Sequence, residues 1–332
     1  MLAYDPQPYD LVVPDNFPTM EIPLDNPLTV AGVELGRHLF YDPILSVDSS
    51  MSCSICHLQA SGFTDNLAVS PGVDGIEGRR SAMSLIDVGF HTNGFFWDGG
   101  TATLEMQALL PVEDPIELHD TWPNVVSKFQ RHKEYPVMFR SAFGIDHVDD
   151  ITKELAAKAL AQFERSVVSS GQSKYDRVVN GLDVFTDQEL VGHNIFFDIE
   201  PDASRHAECG HCHNAPLFTI NDFANNGIDN TDANLLDEGR AEITDFDLDL
   251  GEFKIPTLRN IFFTAPYMHD GRFATVDEVI DHYITGGHPA RNLDPVMREL
   301  MLNADDRAAL IAFIKTLEDP QVLSDPRYAS PF

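Results

Sequence analysis

The sequence predicts a mainly α-helical fold of two domains with few short strands. Three observations carry this. The length, 332 residues, matches about two domains. Apolar residues recur at helical spacing in several capped segments, while stretches of strand-like alternation are few. One pentapeptide pattern occurs once in each half, as Cys53-Ser54-Ile55-Cys56-His57 and Cys209-Gly210-His211-Cys212-His213.

The elements follow in order. The first thirty residues carry six Pro and no helical period, so residues 1–30 read as an extended arm over the body. Residues 34–46 form a short amphipathic piece ending at Asp42-Pro43. After the first pentapeptide, the Gly-rich loop Ser70-Pro71-Gly72-Val73-Asp74-Gly75 leads to Arg79-Arg80. Residues 121–143 alternate short helical pieces with Pro. Ile151–Ser170 predicts an amphipathic helix: Ile151, Leu155, Ala159, Phe163 and Val167 fall four apart, with Asp150 as N-cap. This helix closes a first domain, 31–172, and leaves a second, 173–332. Thr186 and Glu189 form a capping box that opens a helix toward the second pentapeptide. Residues 221–251, rich in Asp, Asn and Gly, read as a surface loop. Thr275 and Glu278 open another capped helix, with Val276, Val279, Ile280 and Tyr283 on one face. A last helix spans 304–317, with Leu310, Phe313, Ile314 and Leu317 inward. The pentapeptide is the only internal repeat visible in the sequence.

Each C-x-x-C-H is the attachment sequence for c-type haem. Two thiols at this spacing add to the two vinyl groups of one haem, and the adjacent His ligates the iron. All four Cys of the chain are used in this way. Chance would produce one such pentapeptide in about two chains per thousand of this composition, and two far more rarely. Four thiolates could instead bind one zinc, but the pairs lie far apart and the His would be idle. A redox C-x-x-C would not explain the His after both pairs. The expected cofactors are therefore two covalent haems, one in each of two cytochrome c-like domains.

The formal charge is −31, from 22 basic and 53 acidic residues. That field repels nucleic acid and anionic membranes. It suits cationic partners or a salt-adapted surface, and composition leaves both open. No run of 18 apolar residues is present to form a transmembrane segment. Covalent haem attachment takes place outside the cytoplasm, and Met1-Leu2-Ala3-Tyr4-Asp5 shows no leader. The expectation is a periplasmic protein whose export signal is not part of this chain.

Further motifs carry a resemblance. Phe96-Trp97-Asp98-Gly99, Gln107, Pro111 and Glu117 resemble the first-haem domain of bacterial di-haem cytochrome c peroxidases and MauG-type enzymes. Ile255-Pro256-Thr257-Leu258-Arg259-Asn260 and Ala265-Pro266-Tyr267-Met268-His269-Asp270-Gly271 resemble the second domain. The resemblance covers roughly residues 30–318. It implies that Glu117 is the distal acid–base residue at the first haem, with Gln107 and Pro111 lining that pocket. It implies that Trp97 bridges two domains packed around it, and that Arg259 and His269 sit near haem propionates. It also implies a calcium ion between the domains on carbonyls at Ser81, Thr264 and Pro266, Ser81 standing where the family has Asn. The plain alternatives are a surface acid for Glu117, a core Trp for Trp97, and interface packing for Arg259 and His269.

Two departures from the peroxidases set the expected task. Residues 63–82 contain no His to cap the first iron, and His91 lies beyond that position, so the first haem is expected to be open without reductive activation. Where peroxidases place a Met on the second iron, alignment from His269 brings Tyr283, as in MauG-type enzymes. A phenolate lowers the reduction potential where a thioether raises it. His282, Met268 and Met297 are the competing ligands. The resemblance then implies an enzyme that uses hydrogen peroxide to reach a high-valent state and oxidises a residue, a Trp by family habit, on a partner protein, with the copper-linked branch a candidate. The alternative is peroxide reduction with electrons from a small cytochrome or cupredoxin. The Trp that MauG carries before its second haem motif is absent here, where the stretch reads His206-Ala207-Glu208.

Overall fold

The computed structural model describes residues 4–199, 202–229 and 235–332. Residues 1–3 of the arm and 230–234 of the acidic segment lie outside the described residues.

Two crossed helix pairs organise the chain. The helix Val30–Tyr41, capped by the Thr29 hydroxyl, packs across the helix Lys153–Ser166. The helix Asp187–Phe196 packs across Ala304–Lys315 in the same way. In each pair a glycine lies directly against the partner helix's backbone. A Cβ at Gly36 would fall 1.9 Å from the Ala159 carbonyl oxygen, and a Cβ at Gly192 would fall 1.9 Å from that of Ala309. Phe163 and Phe313 stand beside the two contacts at 2.9 Å. Both glycines precede the first Cys of their pentapeptide by 17 residues. The internal repeat therefore extends beyond the pentapeptide, contrary to the sequence expectation. The matching Gly, Ala and Phe are scattered along the sequence, with unlike residues between them, so string comparison misses the repeat.

Two apolar cores grow from these crossings. One gathers Leu35, Leu39, Phe40, Phe129, Phe139 and Phe163, the other Ile195, Phe196, Phe218, Phe313 and Leu317. Residues 319–332 return to the first core. Val322 and Tyr328 are buried in it, and Gln59 donates to the carbonyls of Val322 and Asp325. A boundary at 173–332 does not describe this segment, whose polar sequence gave no sign of where it docks.

Both capping boxes appear where expected, at Thr186/Glu189 and Thr275/Glu278, and Asn303 caps the last helix. The helix expected over 151–170 is shorter, Lys153–Ser166, and its cap is Thr152. Asp150 instead closes the preceding 3-10 turn by accepting from the His147 N–H. The only sheet among the described residues is one antiparallel pair, Phe223–Ala224 with Phe253–Lys254. The segment 221–251 is more than a surface loop. Asn225 and Asp237 are buried, and Asp237 holds Arg80 through two bonds of 2.7 Å. Its polar residues serve interior hydrogen bonds, which composition does not distinguish from solvation.

Replacing Gly36 or Gly192 by Ala should force the helices of that pair apart. The expected loss is about 2–3 kcal/mol for each, of similar size in the two halves. Denaturant unfolding of the holoprotein measures it, and unchanged stability would contradict the crossing described.

Candidate functional site

The pentapeptides fold identically. Cys53–Cys56 and Cys209–Cys212 each form a single helical turn, closed by the His57 N–H to Cys53 O at 3.0 Å and the His213 N–H to Cys209 O at 2.9 Å. Residues three apart in one turn present their side chains on one face. The His57 Nδ1 meets the Phe63 carbonyl at 2.9 Å, and the His213 Nδ1 meets that of Phe218 at 3.1 Å. With Nδ1 engaged, Nε2 is left to ligate a metal, and ring orientation is fixed. Burial holds both imidazoles below the usual His range, His213 at about 4, so both are neutral ligands at pH 7. Burial also pushes the Cys56 and Cys212 thiols up to about 11, away from reactive or zinc-binding thiolates. No disulfide joins the four cysteines. This donor set fits a covalently attached haem at each turn.

At the second pentapeptide, one mostly apolar cavity is lined by Cys209, Cys212, His213 and Tyr283, with Met268 and Met297 also on its wall. Burial pushes the Tyr283 phenol up to about 12, while the Asn226 amide, 3.3 Å from its oxygen, pulls the other way. The same amide lies 3.7 Å from Met268 Sδ. His282 turns to the Asn226 carbonyl at 2.9 Å. Asn226 was not singled out from sequence, because it lies in the segment read as a surface loop.

In the first half, Cys53 packs against the apolar core that contains Val112 and Leu118. Thr103 caps Leu104–Gln107 as Thr275 caps Val276–Thr285. Eight residues after Thr275 stands Tyr283; eight residues after Thr103 stands Pro111, where the chain breaks and restarts as Leu110–Glu113. Gln107 is half-buried at the end of the first piece. The Leu118 N–H donates to the Pro111 carbonyl, which brings Glu117 alongside. The Gly-rich loop backs this position: the Val73 N–H donates to Glu117 O at 2.8 Å, and a Cβ at Gly72 would fall 1.6 Å from Ile116 O. Glu117 keeps exposed surface, with its backbone packed against the Gly-rich loop. Desolvation there, with the Asp114 charge second, pushes its carboxyl up to about 7. Its charge also acts on the Cys53 and Cys56 thiols. A second acid near Cys53, Glu164, escaped the sequence reading. It is 6% exposed, its Oε2 has no protein hydrogen-bond partner, and burial pushes it up to about 8. The available signal was an acid beside the inward row of Leu160, Phe163 and Val167.

The halves meet through exchanged hydrogen bonds. The Ser81 N–H donates to His269 O, and the Lys254 N–H donates to Trp97 O, both at 2.7 Å. Trp97 and His269 occupy matching tight turns, closed by the bridges Phe95–Thr101 and Tyr267–Phe273. Asn66 donates across to Phe263 O, and Asn221 donates across to Phe90 O. Trp97 Nε1 donates to Ser81 O at 2.9 Å, and the His269 ring stacks on Phe253 at 3.6 Å. Trp97, His91, His269, Ser81, Thr264 and Pro266 all line the same cavity as His213. Arg259 also reaches its wall, but its guanidinium is bound bidentately to Asp176 at 2.9 and 2.7 Å, and Nε donates to Pro216 O. Neither side chain of that ion pair is exposed.

The di-haem cytochrome c peroxidase family profile matches residues 30–183. The methylamine utilization protein MauG of Methylorubrum extorquens is 32% identical, across 92% of this chain and 83% of that protein. The chain belongs to the di-haem cytochrome c peroxidase and MauG family. Cytochrome c551 peroxidase of Nitrosomonas europaea is 31% identical, across 93% of this chain and 86% of its own length. The crystal structure of a MauG-like protein associated with microbial copper homeostasis superposes with a TM-score of 0.89 at 32% identity, covering 97% of this chain and 99% of that one. The diheme peroxidase BthA of Burkholderia thailandensis shares the fold, with a TM-score of 0.77 at 21% identity over 92% of this chain and 91% of its own. Membership implies two c-type haems and a haem-dependent oxidoreductase that uses peroxide. The relatives bear both MauG and peroxidase names, so membership alone does not choose between their reactions. No helix among the described residues is long and apolar enough to cross a membrane.

Asp176→Ala would leave the Arg259 guanidinium buried and uncompensated. It should cost about 3–5 kcal/mol in denaturant unfolding, and the double variant Asp176→Leu, Arg259→Met should recover much of that loss.

Proposed function

We propose that this di-haem protein uses hydrogen peroxide to oxidise a residue, a Trp, on a partner protein. The observation carrying this reading is the unequal pair eight residues after the matching threonine caps, Pro111 in one half and Tyr283 in the other. Haem, when bound, supplies an iron and a ring that accept and hold oxidising equivalents.

His57 would hold the first iron, and Pro111, which carries no ligand atom, would leave room there for peroxide. Glu117, with Gln107 on the same wall, takes the inner proton of peroxide at a carboxylate oxygen and returns it to the departing oxygen. Its raised pKa suits both transfers near neutral pH. His213 and Tyr283 would hold the second iron, where an anionic phenolate would favour the oxidised form. Trp97 links the two sites, and the Ser81 carbonyl accepting its indole N–H favours loss of an electron from the ring. Arg259 and His269 stand as propionate neighbours, Arg259 fixed by Asp176. A calcium ion on carbonyls of Ser81, Thr264 and Pro266 would brace the seam between the halves.

The acidic surface suits a cationic face on the partner. The likeness to a MauG-like protein associated with copper homeostasis supports placing this chain in that branch, with its work outside the cytoplasm. The second reading is peroxide reduction with electrons from a small cytochrome or cupredoxin, favoured by the peroxidase names of several relatives.

EPR of the ferric holoprotein should show one high-spin and one low-spin haem, and Tyr283→Phe should abolish the low-spin signal and partner oxidation while peroxide is still consumed. Two low-spin haems, or an unchanged signal in Tyr283→Phe, would overturn the reading. Brisk turnover with a reduced small cytochrome would favour the alternative.

Glu117 acts first as a base, so the rate of reaction with peroxide should rise as pH climbs through about 7 and fall below it. Glu117→Gln should slow that reaction by about 10²–10⁴ and flatten the pH profile in stopped-flow measurements.

A further inference from the structure

A second donor cluster lies at the surface beside the second pentapeptide. Asp198, Glu208 and His211 present one ligand atom each, all within 4.8 Å of one another. His211 Nε2 is 2.9 Å from Glu208 Oε2 and 3.4 Å from Asp198 Oδ2. Ligands at about 2.0–2.2 Å from one small cation lie roughly 3 Å apart, so this spacing is that of a common coordination shell.

The remaining oxygens hold the cluster in place. Asp198 Oδ1 accepts the Glu208 N–H at 2.9 Å, and Glu208 Oε1 takes Arg298 at 2.5 Å. Each carboxylate thus has one oxygen anchored and the other turned toward the imidazole, the arrangement by which outer partners orient metal ligands. His211 stands between Cys209 and Cys212, so two thioether links to haem would make its platform rigid. The ring is 57% exposed, leaving coordination positions open to water.

We propose that Asp198, Glu208 and His211 form a binding site for a divalent first-row transition cation. One imidazole nitrogen with two carboxylate oxygens suits Zn²⁺ and Cu²⁺, with Cu²⁺ the tighter. Two carboxylates outweigh the one guanidinium, and the net charge of −31 draws cations to the surface. The site is independent of which ligand closes the second iron, and it occupies the surface just before and within the second motif, where this chain lacks the MauG Trp.

The test uses chelator-stripped di-haem holoprotein, titrated with ZnCl₂ or CuCl₂ by calorimetry, with metal analysis after gel filtration. One retained equivalent is expected, weakened at least about tenfold by His211→Ala, by Glu208→Gln and by the isosteric Asp198→Asn, but not by His147→Ala. EPR of the Cu²⁺ form should show coupling to an imidazole nitrogen that disappears in His211→Ala. Intact haem absorption in each variant shows that it folds. No retained metal, or retention and EPR unchanged by His211→Ala, would overturn the proposal.

Discussion

The rest of the molecule depends on a reciprocal pair of backbone hydrogen bonds. Ser81 gives its N–H to the turn of His269, and Lys254 gives its N–H to the turn of Trp97. Each half thereby ties down the turn from which the opposite half's wall begins. Thr103 and Thr275 follow those turns directly, so the helices carrying Pro111 and Tyr283 start from positions fixed by the neighbouring half. A shift at this seam would move both candidate distal positions together. It would also move the Trp97 indole, whose N–H rests on the Ser81 carbonyl in the same seam.

A repeated frame with unequal fillings follows from this constraint. The glycine crossings, the histidine-orienting carbonyls of Phe63 and Phe218, and the turns at Trp97 and His269 recur in both halves. Even the supporting hydroxyls match: Ser84 donates to Gly62 O as Thr257 donates to Leu217 O. Against that shared frame the differences stand out as chemistry. Proline breaks one helix where tyrosine completes the other. An ionisable Glu164 lies within one core, while the other crossing helix carries Ile314 at the corresponding place. The frame costs little sequence identity, because backbone carbonyls and small residues build most of it.

The capping boxes at Thr186 and Thr275 were legible because a hydroxyl and a carboxylate three residues apart act locally. The haem turns were legible because the chemistry needs those residues in order. Glu117, Trp97 and Tyr283 became candidates only through resemblance, since each is also an ordinary surface or core residue. What sequence did not disclose is long-range. Asp150 looked like a helix cap until Thr152 proved better placed to receive the Leu155 N–H. Asn226 and Asp237 belong to a stretch whose polarity resembles solvation, yet they bond to Tyr283 and Arg80 in the interior. The Gly36 and Gly192 crossings require knowing which helix lies opposite.

The return of residues 319–332 to the first core makes that half depend on the far end of the chain. Val322 and Tyr328 belong to an apolar cluster begun near Val33, so the two ends of the chain share one core. Loss of this tail would therefore be felt in the half that carries the first pentapeptide, far away in sequence.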